Sequence, residues 1–417
     1  MAHSVLDSVS LGYQLVWNQL RQVRGIQLFV GAHHASPVDA VHLLNALNEQ
    51  WTDQAPALLL STPSPQLLGD LLSHATGSRP WIEVHDHQLR DPSMVRRVYQ
   101  AHQRGLKLVW RGEPGARPSL ALAPCFTRTM ISLTPDEALA SLRVSLRKHN
   151  GAAPSKNSRI TSPVLADQLY EGLASRVLAE HCLDEQGAWG VAGWPMEDVL
   201  HGYRHRVIPP GHRAVVGLIE AIDADQAMEH IETILSEEPV LAYRFMRYAN
   251  SAGLGLPTAI DSLRHGLMAL GLTNLRSWLL GQLNPATSDL NLQPVRTALV
   301  VRARLMAHLL DAGDGDDLRR EVYLCGLLSQ IDLMLGEPLH EALARIPFSE
   351  RITAAVLGRS GPYLPYLEIA TTLESPDTQA TRALCESHQM KLEDINRALL
   401  RTLCTARPLP VKGTLLT

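Results

Sequence analysis

One change of pattern constrains this chain more than any total. Up to about residue 200, short apolar runs alternate with helix starts; beyond it, helical periodicity continues without a strand signal. The runs are "LGYQLVW" (11–17), "IQLFVG" (26–31), "ALLLS" (57–61), "WIEVH" (81–85), "LKLVW" (106–110), "TMISL" (129–133), "RVLAE" (176–180) and "AWGVAGW" (188–194). Each has strand length. Helix starts with proline at the first helical position stand between many of them: Ser36-Pro37, Ser64-Pro65, Asp91-Pro92, Thr134-Pro135 and Ser162-Pro163. The Ser, Thr or Asp side chain accepts a free N–H of the first turn, and proline wastes no donor there. Thr134 and Glu137 have capping-box spacing. Eight strands with interleaved helices imply an α/β fold closed as a (β/α) barrel. Only "NQLRQVRG" joins the first two runs, too short for a crossover helix, so that pair is expected to be antiparallel. Residues 111–124, "RGEPGARPSLALAP", carry no helix pattern where one is due.

In the second half, helical patterns run through roughly 224–237, 239–250, 258–270, 272–283, 293–312, 317–335, 338–346, 349–358, 363–374, 376–388 and 391–404. Residues 195–210 read as the connection, with Pro209-Pro210-Gly211 as the boundary. Two domains follow: 1–200 as the barrel and 201–417 as an all-helical domain. With 417 residues, 45% of them hydrophobic, each half has enough apolar residues for its own core.

A net charge of -4 gives no footprint for nucleic acid. The small basic clusters (Arg96-Arg97, Arg147-Lys148, Arg204 to Arg206) read as solvated faces. Five cysteines, an odd count without CxxC spacing, fit a reducing compartment better than disulfides or a zinc site. The opening "MAHSVLDSVSLGYQLVW" lacks a basic n-region and a continuous apolar core. No apolar run reaches the ~18 residues that span a bilayer. The expectation is a cytoplasmic protein without membrane insertion.

"EEPVLAYRFMRYANSAGLGLPTAIDSLRHGLMALGLTNLRSWLL" (237–280) and "CGLLSQIDLMLGEPLHEALARIPFSERITAAVLGRSGPYLPYLEIATTLE" (325–374) resemble the HDOD domain, the output-type relative of the HD phosphohydrolases. The resemblance covers nearly all of 205–380. In HD enzymes a run such as "GLLHDIG" sets a His-Asp pair on a metal. Here the pair is Ser329-Gln330, and Asp332 is a lone acid two positions on. Leu324, Leu327, Leu328, Ile331 and Leu335 keep the spacing of a core face. The resemblance implies a helix kept for packing and not for a metal.

A barrel before an HDOD domain resembles the EAL–HDOD signalling proteins, and "LGYQLVWN" is similar to the "GYELLFR" run of such chains. The EAL domain hydrolyses cyclic di-GMP with divalent metals held by hard oxygen ligands from several strand ends. Aligned by element, Gln14 stands for the signature Glu and Asn18 for its Arg. The second-strand Asn has no counterpart near Gly31-Ala32. The fifth-strand Asp-Asp pair falls at Trp110, Arg111 and Gly112, the sixth-strand Lys at Met130, and the eighth-strand Gln at Ala192. Only Glu83 and Glu180 keep carboxylates. Two carboxylates do not make a two-metal site, and each also reads simply as a strand-end acid facing water or a neighbour.

His85 and His87 of "HDH", with His33-His34, form a possible imidazole site that lacks a fixed third ligand. "NSAGLGLP" (250–257) reads as a helix C-cap with Asn250 or Gly253 at positive φ. "GRSGP" around Ser360 lacks the nucleophile-elbow form. Arg244, Arg247, Arg264 and Arg276 read as paired or solvated. No residue is assigned a catalytic, cofactor-binding or metal-binding role, and no cofactor is expected. The expected function is a catalytically inactive signalling protein with a degenerate EAL-like barrel and an HDOD domain. It would act on regulatory protein partners in a bacterial cyclic di-GMP or two-component network. The alternative is a non-catalytic cyclic di-GMP receptor.

Overall fold

Eight strands close into a barrel in chain order: β1 (Val9–Trp17), β2 (Val23–Ala32), β3 (Ala57–Ser61), β4 (Trp81–His85), β5 (Leu108–Arg111), β6 (Arg128–Ser132), β7 (Leu169–Glu171) and β8 (Gly190–Ala192). The computed structural model describes residues 4–32, 38–77, 79–149, 161–204, 206–254, 259–310 and 315–406. β1 is antiparallel to β2 and to β8, and the remaining neighbours are parallel. The short β1–β2 linker forces this. Asn18 closes the turn by accepting from the Gln22 N–H through its side chain.

The barrel helices are α1 (Ala40–Gln50), α2 (Pro65–His74), α3 (Pro92–Gln103), α4 (Pro135–His149), α5 (Arg176–Glu180) and α6 (Met196–His201). Ser64 and Asp91 cap α2 and α3 as their Pro-led sequences imply. Thr134 and Glu137 exchange capping bonds at α4. Ser36-Pro37 lies outside the described residues; α1 is capped by Asp39. No helix follows Ser162-Pro163; the Ser162 hydroxyl accepts from Val164 and pairs with His181. Between β5 and β6 there is only a single 3₁₀ turn, Ala123–Cys125.

The seventh strand corrects the sequence reading. "RVLAE" is helix α5, started by the Ser175 side chain on the Leu178 N–H, and the strand is the three-residue Leu169–Glu171. Five apolar-rich residues fit either state, and three residues are too few to signal one.

Side chains alternate between the helices and the barrel interior. Val16, Leu59, Trp81, Val109, Met130, Leu169, Trp189 and Ala192 form the apolar interior layer. Met130 and Ala192 are thus core. Above it, toward the carboxyl ends of the parallel strands, the inward residues are polar.

The chain divides into two compact units, but not at one boundary. The first holds the described residues up to Asp198 and again from Thr372; the second is Val199–Thr371. The second unit contains α7 (His212–Asp223), α8 (Met228–Ser236), α9 (Pro239–Ala249), α10 (Leu263–Leu270), α11 (Leu272–Leu283), α12 (Gln293–His308), α13 (Asp316–Leu328), α14 (Asp332–Leu335), α15 (Leu339–Leu343), α16 (Glu350–Val356) and most of α17 (Leu364–Leu373). α18 (Thr378–Ser387) and α19 (Leu392–Cys404) belong with the barrel, which corrects a single helical domain over 201–417. Asn396 shows why: its buried Nδ2 donates to the carbonyls of Leu6 and Val9, at 2.8 and 2.7 Å. In the helical unit Glu238 caps α9 on the Leu241 N–H, accepts from the Gly211 N–H and pairs with buried Arg296 at 2.6 Å. Asn250 has φ -94°, not positive, and its side chain ties the following turn through both Ile260 backbone groups.

Candidate functional site

The polar upper layer of the barrel converges on Glu83. Its side chain is fully buried, on β4, between β3 and β5. Gln27 Nε2 donates to one carboxylate oxygen at 2.7 Å, and Ser61 Oγ to the other at 2.9 Å. His85 Nε2 lies 2.9 Å from that second oxygen, and an Arg111 Nη atom lies 3.2 Å from it. The other end of the same guanidinium reaches Glu171 on β7 at 2.7 Å. Ser132 on β6 donates to Glu171 at 2.8 Å. Strand register builds this set: His85 pairs with Arg111 and Ser132 with Glu171, so all point into the mouth.

The electrostatics follow from that placement. Burial raises the Glu83 carboxyl, but the His85 hydrogen bond and the Arg111 charge outweigh it and hold it below the ordinary carboxylate value. Burial likewise opposes the charge on Arg111, and Glu83 and Glu171 together raise it above its usual value. The centre is an ionised carboxylate–guanidinium–carboxylate bridge across the barrel.

Several expected site residues move. Gln14 lies on the antiparallel β1 opposite Gln27, and it is Gln27, on the first parallel strand, whose amide engages Glu83. Asn18 is a turn residue. Glu180 is no strand-end acid; it sits on α5, paired with Arg176 at 2.9 Å. Glu171 is the strand-end carboxylate that sequence reading missed, because β7 itself was missed. Polar Gln27 between Ile26 and Leu28 in an apolar run was its only signal. β4 stops at His85, and the Gln88 side chain accepts from the His85 N–H to start a 3₁₀ turn. His85 and His87 stack obliquely at 5.3 Å. His33 and His34 lie outside the described residues. Among the described residues no three His, Cys, Asp or Glu side chains are grouped to hold a metal.

In the helical unit, Ser329 and Gln330 occupy a turn between α13 and α14 instead of a continuous helix. Arg302, buried on α12, donates to Ser329 Oγ at 3.1 Å and to Gln330 Oε1 at 2.8 Å. Leu324, Leu327, Leu328, Ile331 and Leu335 are all buried. Burial raises the carboxyl of Asp332. Arg264 and Arg276 pair with Glu229, Glu232 and Asp223, Arg244 with Gln282, and Arg247 lies over the Tyr243 ring. The cysteines are free, four of them buried, and burial pushes the thiols of Cys182 and Cys325 up to about 12.

Residues 208–346 match the HDOD domain family. The HDOD domain thus takes in α7 to α15, with Arg302, Ser329 and Gln330 inside it. Two curated proteins are similar. Cyclic di-GMP phosphodiesterase CdgJ of Vibrio cholerae serotype O1 is 21% identical over 198 residues, 47% of this chain and 46% of that protein. Uncharacterized protein YuxH of Bacillus subtilis (strain 168) is 25% identical over 179 residues, 42% of each chain. The match therefore spans less than half the length of either relative. The crystal structure of the MmoQ response regulator from Methylococcus capsulatus str. Bath overlaps 46% of this chain and 97% of its own, at 16% identity and TM-score 0.36, a likeness too loose to fix a fold. No helix among the described residues is long and apolar enough to cross a membrane.

Proposed function

We propose that this chain is a regulatory protein of cyclic di-GMP signalling that does not hydrolyse the nucleotide. In this reading the barrel is a degenerate EAL domain, and the HDOD domain carries recognition of a protein partner. The network comes from the similarity to a protein named as a cyclic di-GMP phosphodiesterase. The loss of chemistry rests on one observation, the Arg111 guanidinium held between Glu83 and Glu171.

A divalent pair needs several carboxylates free to turn their oxygens to the ions. Here the residues do not fit it. One Glu83 oxygen is engaged by Ser61, His85 and Arg111, the other by Gln27, and Glu171 is engaged by Arg111 and Ser132. A permanent positive charge stands where two more would have to enter. Gln27 Oε1 is buried without a hydrogen-bond partner, but one neutral amide oxygen is a weak ligand beside a cation. The same guanidinium, spent on two carboxylates, is not free to meet a phosphate.

The experiment is a hydrolysis assay with cyclic di-GMP in magnesium and in manganese, paired with calorimetric titration. No turnover and no binding heat are expected. Turnover that vanishes on Glu83→Ala overturns the reading. Binding without turnover converts it to a nucleotide receptor.

A further inference from the structure

The Glu83 cluster stands at the carboxyl ends of the parallel strands. A second charged cluster stands at their amino ends, within the same barrel unit. Trp81 opens β4 and Arg128 opens β6; Lys107 precedes β5, Trp189 precedes β8, and Asp167 lies two residues before β7. Arg24 joins them from the start of β2 through an irregularity in pairing. Val16 pairs with Gly25 and Trp17 with Val23, which leaves Arg24 as the extra residue of a bulge. Bulges re-aim a side chain, and this one sets Arg24 over Trp189.

The two indoles form the barrel floor, with ring centroids 4.8 Å apart. Arg24 Cζ lies 4.6 Å from the Trp189 centroid. Arg128 Cζ lies 5.0 Å from Trp189 and 5.2 Å from Trp81, and Lys107 Nζ lies 5.5 Å from Trp81. All three cations are within cation–π reach of one aromatic pair. A single acid answers them: Asp167 meets Arg128 at 2.7 Å, with its own side chain 68% exposed. Arg24 donates to the Trp189 carbonyl at 2.9 Å. The Lys107 ammonium has no hydrogen-bond or ion-pair partner among the described residues. Arg128 Nε is buried without a hydrogen-bond partner. The crowding registers at Arg24, where burial first and the Arg128 charge second hold the guanidinium below its usual value, against a smaller pull from Asp167. Indole faces attract cations but carry no net charge, so three cations against one acid leave an excess of two positive charges.

We propose that the amino-end face of the barrel is a binding site for a phosphate dianion, free or carried as a monoester by a small molecule. Arg24, Arg128 and Lys107 would hold it at the edge of the Trp81–Trp189 floor. A dianion matches the excess charge, and its oxygens can accept from several separate side chains at once. A carboxylate or a phosphodiester brings one charge and leaves the other unmet.

The test is calorimetric titration of the full-length protein with inorganic phosphate and, separately, with phenyl phosphate. Low ionic strength and a pH of about 7.5 keep the monoester doubly charged, since its second pKa is about 6. Saturable binding at one site per chain is expected. Arg24→Gln should weaken it by about tenfold or more and Lys107→Gln by about threefold or more. Lowering the pH to about 5.5 should weaken phenyl phosphate as it loses its second charge. Tighter binding of phenyl phosphate than of phosphate assigns a monoester, and the reverse or equality assigns the free ion. Arg24 is exposed, so its variant should fold; if it does not, Lys107→Gln decides alone. No saturable binding of either probe, or affinities unchanged in the folded variants, overturns the site and leaves the three cations as a clasp that only closes the floor. No cyclic nucleotide enters the assay, so the proposed function stands or falls separately.

Discussion

Each unit sets one arginine in a polar cluster, half-buried Arg111 in the barrel and buried Arg302 in the helical unit, and the two meet different partners. Arg111 in the barrel bridges two carboxylates, Glu83 and Glu171. At the Ser329–Gln330 turn of the HDOD domain, Arg302 meets a hydroxyl and an amide oxygen. A carboxylate buried as deeply as Glu83 needs a countercharge, because ions taken out of water are costly unless paired. At the HDOD turn the guanidinium hydrogen-bonds two neutral acceptors, and the surrounding leucines are buried. The two settings thus make different demands: carboxylates to be neutralised in the barrel, and polar donors and acceptors to be matched at the HDOD turn.

The largest effect expected comes from where each unit ends. A chain stopped at residue 371 loses α18 and α19, whose buried Ile395, Leu399, Leu400 and Leu403 are each worth about 1.5–3 kcal/mol of burial. Calorimetry should show the barrel transition gone or broadened and the helical transition kept. A barrel transition unchanged in temperature would remove those helices from the barrel unit.

Next come the arginines. Arg111→Met should cost about 2–4 kcal/mol, the partial exposure of Arg111 trimming the ~3–5 expected when a fully buried pair is broken. Arg302→Met should cost about 1–3 kcal/mol, the penalty for buried polar groups left unmatched. Urea melts of both variants give the order, and a larger loss at Arg302 would break the comparison.

Acid sharpens the barrel half. The Glu83 pKa is lowered on folding, so its contribution to stability is full above the unfolded value of about 4.3 and is lost as pH falls through the lower folded value. The barrel transition should weaken as pH drops from about 5 to 3, and Glu83→Gln should flatten that slope. An equal slope in the variant would assign the acid sensitivity elsewhere.

The smallest effect is expected from putting the family's pair back. Ser329→His with Gln330→Asp restores the residue types, yet the new carboxylate faces the Arg302 guanidinium. Melting temperatures with and without chelator should agree to about 1 °C. Stabilisation by several degrees on adding a divalent ion would show that the HDOD frame still forms a metal site.

How far the sequence could be read depended on length and on partners. β1 to β6 were legible because their runs are long and bounded by turn residues. β7 was not, since three residues leave no period, and the five of "RVLAE" imitated it. Glu83 and Arg111 were visible as a strand-end acid and a strand-end base. Their bond was not, because it depends on the register between β4 and β5. Glu171 and Gln27 appeared only once the barrel closed. In the helical unit the whole core face around Leu327 and Leu328 was readable, but the break of the helix at Ser329 was not.

Local pattern, then, determined the kinds of element, their order and the change of architecture near residue 200, because periodicity and caps act over a few residues. It also determined which residue types stand at the strand ends, since that is identity alone. The tertiary structure decided which of those residues meet and where the barrel unit ends. Both are long-range: Arg111 meets Glu171 sixty residues on, and Asn396 binds carbonyls nearly four hundred residues back. No window of sequence contains both partners, and only barrel closure and the return of the chain at Thr372 bring them within bonding distance.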